Sequence, residues 1–269
     1  MVVERSHREC VLCGAFFTGR SFLCRTCSAR YRRERPSRQL RRQFYEGVDR
    51  LYPGWANTYG SYNPPVGLLR VLDRLPRTAR ILELGCGGGA LLRELAARGF
   101  LELVGLDLAR TALAEARQRQ TPASLVLAEA ERLPFHDRSF DIVLAADLIE
   151  HVDNVEEHLA EVARVLREGG QYLVKTPNRP LAEAYYRLVG LDDYPFWHPS
   201  LLSPGELRAV FARHGFTVTF VPQPGLTPAQ LRKIPSRFLR RLAQQLPVSC
   251  LPVWLRPHLE VVAVLRAKC

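Results

Sequence analysis

The stretch Ile81-Leu82-Glu83-Leu84-Gly85-Cys86-Gly87-Gly88-Gly89 decides how the rest of the chain is read. A short hydrophobic strand runs into a glycine-rich turn, and Ala90-Leu91-Leu92-Arg93-Glu94-Leu95 continues at once with helical spacing. Glycine suits such a turn because it takes positive φ without strain and puts no Cβ between backbone and ligand. Eighteen residues beyond Gly89, Asp107 ends the next strand, where a carboxylate can accept hydrogen bonds from two ribose hydroxyls.

Working outward, strands are predicted at Arg80–Leu84, Leu101–Asp107, Ser124–Glu129, Phe140–Ala145 and Gln171–Thr176. Helices are predicted over Ala90–Arg98, Arg110–Gln120 and Val155–Arg167. Strands alternating with helices imply right-handed crossovers and a parallel sheet. Ser203-Pro204-Gly205-Glu206 reads as a capping box opening a helix to about His214. Phe216–Val221 and His258–Arg266 then read as two strands with no crossover helix after the first, which predicts an antiparallel pair at the sheet edge.

Gly85-x-Gly87-x-x-Ala90 also fits a dinucleotide fingerprint, and Asp107 would serve that ligand equally well. Three features separate the readings. Glu83 precedes the glycines as acid-x-Gly-x-Gly-x-Gly, where a carboxylate can reach a cationic amino group. The third strand ends at Glu129, followed by Glu131–Phe135 and then Ser139-Phe140-Asp141. The sheet closes on a strand pair instead of a second mononucleotide half.

On these residues, positions 67–221 resemble the class I S-adenosylmethionine-dependent methyltransferases, the ubiquinone/menaquinone-type group in particular. The resemblance implies a Rossmann-like α/β sheet, mostly parallel with a terminal antiparallel pair, and methyl transfer by in-line displacement. It implies cofactor contacts at Glu83, Gly85, Cys86, Gly87, Gly89, Asp107, Leu108, Glu129, Ala130 and Asp147, with Glu129 standing where the family usually carries Asp. His151 follows the fourth strand at the carboxyl edge of the sheet, and an imidazole there suits a general base; packing or capping is the alternative. Trp197 and His198, after the fifth strand, and Tyr59, in the aromatic stretch Leu51–Pro65, are expected to face the acceptor, although Trp197 could equally be core.

Cys10-x-x-Cys13-Gly14 and Cys24-x-x-Cys27 suit four thiolates around a structural zinc. So short a segment builds no core of its own, so metal would supply its folding energy, and four cysteines leave no open catalytic position. The other three of the seven cysteines (Cys86, Cys250 and Cys269) are scattered. With a polar N-terminus that resembles no signal peptide, this predicts a reducing, cytoplasmic setting. The organisation expected is a zinc-ribbon-like module at 1–30, a basic and aromatic linker or cover at 31–66, and a methyltransferase domain at 67–269 with an insertion at 222–257.

Of 269 residues, 47% are hydrophobic and 24% charged, enough for a real core, and no apolar run reaches the roughly 20 residues of a membrane span. The net charge of +11 is uneven: residues 1–50 hold 12 arginines against 5 acids, and residues 226–269 hold 8 basic groups against 1 acid. Basic flanks suit polyanions. The insertion mixes Leu231, Phe238, Leu239 and Leu242 with Arg237, Arg240 and Arg241, as a helical cover or a membrane-interface surface would. A small-molecule acceptor (quinone precursor, glycan or other metabolite) is the favoured expectation. An rRNA or tRNA base held by the zinc module and basic N-terminus is the alternative. A binding protein without catalysis is disfavoured by the intact loop, Asp107 and His151.

Overall fold

The computed structural model describes residues 6–19, 21–31, 34, 36–52, 63–232, 234, 236–245 and 247–266; Tyr59 lies outside them. A hairpin of β1 (Ser6–Glu9) and β2 (Phe16–Gly19) leads into α1 (Arg25–Tyr31). The segment expected as linker or cover contains the helix α2 (Arg38–Leu51), opened by Ser37, whose hydroxyl accepts from the Leu40 N–H. α3 (Val66–Leu72) then brings the chain to the sheet.

The sheet alternates as predicted: β3 (Ile81–Leu84), α4 (Ala90–Ala97), β4 (Leu103–Asp107), α5 (Arg110–Gln118), β5 (Ser124–Leu127) and β6 (Phe140–Ala146). A short 3-10 turn, Ile149–His151, precedes α6 (Val155–Val165) and β7 (Leu166–Pro177). α6 stops two residues short of the predicted Arg167, because Leu166 already pairs with Phe140 of β6. α7 (Arg179–Val189), the single turn α8 (Tyr194–Trp197) and α9 (Pro204–Arg213) follow, α9 with both halves of its capping box formed.

β8 (Phe216–Phe220) and β9 (His258–Leu265) complete seven strands in the order β5-β4-β3-β6-β7-β9-β8. β3 to β7 are parallel, and β9 runs antiparallel to both neighbours, so the expected edge pair is present with the later strand inserted between β7 and β8. Strands covered on both faces must be apolar throughout, which is why β3 and β4 read as unbroken hydrophobic runs. One face packs against α6 and α9 through Leu159, Val162, Leu207 and Phe211, the other against α3 and α4 through Leu68, Leu72, Leu92 and Leu95.

The insertion holds α10 (Pro228–Arg232), α11 (Arg237–Gln244) and two 3-10 turns, Val248–Cys250 and Val253–Leu255. Asn178, just beyond β7, donates its side-chain amide to the carbonyls of Trp254 and Arg256 at 3.1 and 2.9 Å, pinning the insertion to the carboxyl edge. Among the described residues no helix is long and apolar enough to cross a membrane.

Candidate active site

The carboxyl edge of the sheet gathers most of the predicted residues. Gly85, Gly87 and Gly89 all have positive φ, 68°, 50° and 72°. A Cβ at Gly89 would sit 2.4 Å from Thr121 Oγ1 and one at Gly85 2.9 Å from Leu148, so packing excludes side chains there. At Gly87 a Cβ would meet nothing within 4 Å, so this part of the loop faces open space. Asp107 ties the loop down: its two oxygens accept from the Gly87 N–H at 2.9 Å and the Ala109 N–H at 2.8 Å. A carboxylate oxygen can accept from more than one donor, so the same group also suits hydroxyl donors. Glu83 is buried with Oε2 lacking a hydrogen-bond partner, and burial, then the charge of Asp107, hold its carboxyl well above the usual range. An orphaned acid, an open glycine and an anchored carboxylate together fit a ligand carrying a cation and a vicinal diol, as S-adenosylmethionine does.

Cys86 belongs to the loop by its backbone, which donates to the Leu106 carbonyl at 3.0 Å; its thiol is buried in the core below. Leu108 follows Asp107 in the turn to α5, half-buried. Glu129 and Arg132 bridge as a tight turn, and the Ala130 carbonyl accepts from His158 Nδ1 at 2.9 Å. His158 Nε2 in turn accepts from Tyr172 Oη at 2.7 Å, so a fully buried imidazole braces this loop from α6.

Burial pulls the pKa of His158 down to about 4. The unfolded chain takes up this proton below about 6.5, so stability present above that pH is lost as pH falls toward 4. The deficit of His158→Gln relative to the parent is therefore expected to shrink by about 2 kcal/mol between pH 7 and pH 5 in urea unfolding.

Asp147 directly follows β6 with φ 55°, and its Oδ2 accepts from Lys175 Nζ at 2.5 Å. Lys175 is 0% exposed near the carboxyl end of β7, after Tyr172-Leu173-Val174, and donates also to the Asn63 carbonyl at 3.0 Å. Asp147 is thus engaged by β7, with its carboxylate fixed at the sheet edge. Glu150 Oε2 accepts from Thr176 Oγ1 at 2.8 Å, and burial followed by the Asp147 charge pushes its carboxyl up to about 8.

His151 Nδ1 lies 2.6 Å from the Trp197 carbonyl and 3.0 Å from Tyr45 Oη. A carbonyl only accepts, so Nδ1 carries the proton and Nε2 the lone pair. Burial lowers the pKa of His151 to about 4, keeping it neutral. His198 stands beside it, ring centroids 4.5 Å apart, with its Nδ1 3.0 Å from Tyr186 Oη. The Trp197 ring does not line the site: it is 2% exposed, packed against Phe22, Tyr186 and His198, because the aromatic core between α2 and α7 takes it up. What Trp197 presents to the site is its carbonyl.

Tyr45 and Lys175 are site residues that sequence reasoning missed. Lys175 carried a signal, being one of only three lysines in an arginine-rich chain and following the apolar run Tyr172-Leu173-Val174; Tyr45 carried none, since its partner lies 106 residues away.

The four cysteines converge, their sulfurs within 4.8 Å of one another. Cys13 Sγ and Cys24 Sγ are 3.7 Å apart, close to the ~3.8 Å edge of a tetrahedron with 2.3 Å zinc–sulfur bonds. The donor set fits a zinc ion.

The methyltransferase-domain family model matches residues 82–174, from the glycine loop through β7. A ubiquinone biosynthesis O-methyltransferase of Chelativorans sp. (strain BNC1) is 30% identical over 199 residues, 63% of this chain and 78% of that protein. A protein of the same name from Mesorhizobium japonicum is 28% identical, over 68% of this chain and 84% of its own length. Among solved structures, an S-adenosylmethionine-dependent methyltransferase from Mesorhizobium loti superposes with a TM-score of 0.55 at 24% identity, over 73% of this chain and 95% of that one. With its glycine loop, the carboxylate that ends β4 and its strand order all in place, this chain belongs to the class I S-adenosylmethionine-dependent methyltransferase family.

Proposed function

We propose that this chain methylates a hydroxyl of a small lipophilic metabolite, a quinone precursor being the class that fits best. The observation that carries the reading is the fixed tautomer of His151: with Nδ1–H held by the Trp197 carbonyl, Nε2 is a lone pair available to an acceptor hydroxyl. The relatives named as O-methyltransferases support a hydroxyl acceptor.

S-adenosylmethionine, when bound, supplies an activated sulfonium methyl. Asp107 holds the loop and offers oxygens to a ribose, and Glu83 offers a carboxylate to the methionyl amino group. Alignment then provides most of the rate, with a base removing the acceptor proton. His151 takes that proton as the site loses a positive charge, so the transfer leaves the net charge unchanged and offsets the cost of charging a half-buried imidazole. The Asp147 carboxylate, held by Lys175, raises the proton affinity of His151 against the effect of burial.

The insertion suits such an acceptor. Phe238, Leu239 and Leu242 of α11 are exposed on a helix that also carries Arg240 and Arg241, and Trp254, 62% exposed, is held by its carbonyl at the carboxyl edge. An amphipathic, arginine-bearing surface of this kind favours contact with a membrane interface, where lipophilic substrates reside. For an RNA acceptor the module lacks a stacking platform among the described residues: Phe22 and Tyr31 pack inward, leaving Phe16 as the exposed ring.

The cysteine cluster holds a structural zinc, and four reduced thiols suit the cytoplasm. Elemental analysis of the reduced protein is expected to find one zinc per chain, and a metal-free, folded module would contradict this. The acceptor is tested with labelled S-adenosylmethionine and a prenylated catechol: base-stable label in the organic phase supports the reading, and no transfer to any hydroxylated aromatic would overturn it.

A further inference from the structure

His151 Nδ1 has its two partners on different elements, Tyr45 on α2 and the Trp197 carbonyl on α8. Each element is seated on a different half of the cysteine cluster. α2 crosses the first pair at Gly47, where a Cβ would lie 2.5 Å from Val11 Cγ1, and Val11 stands between Cys10 and Cys13. Tyr52, at the end of the same helix, donates its hydroxyl to the Glu9 carbonyl. α8 is tied to the second pair: Asp193, its N-cap, accepts from the N–H groups of Phe22 at 2.7 Å and Leu23 at 3.2 Å, directly ahead of Cys24. The Phe22 ring fills the angle between them, edge-on to Phe44 of α2 at 5.9 Å and to Trp197 at 6.2 Å. Arg41 of α2 closes the arrangement by donating to the Phe196 carbonyl at 2.6 Å and pairing with Asp153 beyond His151.

We infer that the cysteine module is a positioning clamp for His151: its two knuckles set the separation of α2 and α8, and with it both partners of the imidazole. Tyr45 and Asp193 are positioning residues in this scheme. The inference rests on zinc in the cluster and on His151 as the base. A zinc ion bound by Cys10, Cys13, Cys24 and Cys27 would tie the two knuckles to one point, a constraint that the four residue pairs of the β1–β2 hairpin add to but do not replace. The glycine loop and Asp107 are held chiefly by each other and by the sheet, α2 reaching that side only where it lies against α5. Zinc occupancy therefore governs turnover far more than cofactor affinity.

The test uses the full chain in four forms: zinc-loaded, zinc-stripped by a chelator under reducing conditions, and zinc-loaded Tyr45→Phe and Asp193→Asn. Three quantities are read: S-adenosylhomocysteine affinity by calorimetry, turnover, and the His151 ring by NMR of histidine-labelled protein, assigned with His151→Gln. Facing that ring are Tyr45 and Arg41 from α2, Asp147 and Glu150 from its own segment and His198 after α8.

Stripping zinc is expected to leave affinity within about threefold and to lower kcat by about 10- to 100-fold. The His151 midpoint is expected to move from about 4 toward its ordinary value as water enters. The two zinc-loaded variants move kcat and the ring signal in the same directions. An unchanged His151 signal after zinc removal would overturn the clamp, and so would loss of cofactor affinity in step with kcat, which would mark plain support of the fold. Retained turnover in His151→Gln would defeat the reading of His151 as base, and the ring signal would then decide the clamp by itself.

Discussion

Asp107→Ala is expected to weaken S-adenosylhomocysteine binding by about 10²- to 10⁴-fold, since two hydrogen bonds to a charged carboxylate contribute roughly 1.5–3 kcal/mol each. Its oxygens also hold the Gly87 and Ala109 N–H groups, so the loop loses its anchor together with the ribose contact. Calorimetry on the variant, with circular dichroism as a check that the sheet persists, measures both. Asp107→Asn should fall in between, because one oxygen remains to accept while the charge and the second acceptor are lost. A change below about fivefold in the alanine variant would mean that the ligand does not use this edge of β4.

The second large effect is on turnover. His151→Ala is expected to lower kcat by about 10²- to 10⁴-fold, the usual contribution of a positioned general base. Cofactor affinity should stay nearly constant, because Asp107 and the glycine loop are built without the imidazole. The pH profile gives an independent check. Burial keeps the pKa of His151 near 4, so the base is unprotonated throughout the neutral range and activity falls only as pH drops toward that value. An acid limb centred near the ordinary histidine pKa would show that His151 in the working enzyme is solvated, or that another group is the base.

The parts of this site that were legible beforehand are those built from neighbouring residues. Glu83 to Gly89 and Asp107 lie on two successive strands, and the required glycines announce themselves by spacing. The paired terminal strands were also readable, because nothing helical follows β8 at once; that β9 slips between β7 and β8 was not, since strand order depends on which edge of β7 stays open. The acceptor side was harder. Arg41 reads as one more charge in an arginine run, yet it is buried because Asp153 and the Phe196 carbonyl meet it there. Trp197 after the fifth strand could face substrate or core, and Phe22, 175 positions earlier, is part of what draws it inward. Contacts between segments so far apart leave no local periodicity to read, so nothing in the sequence marks α2 as part of the site or Tyr45 as a partner of His151.

The measurement that tests the account most directly is an unbiased methyl trap. The purified zinc-loaded protein is incubated with methyl-labelled S-adenosylmethionine and a lysate of cells lacking it, and the label is partitioned. The account predicts label in the organic or low-molecular-weight fraction, insensitive to RNase and absent with His151→Ala. Label that precipitates and is released by RNase would contradict it, and would turn the cysteine module from a clamp on the active site into a grip on RNA.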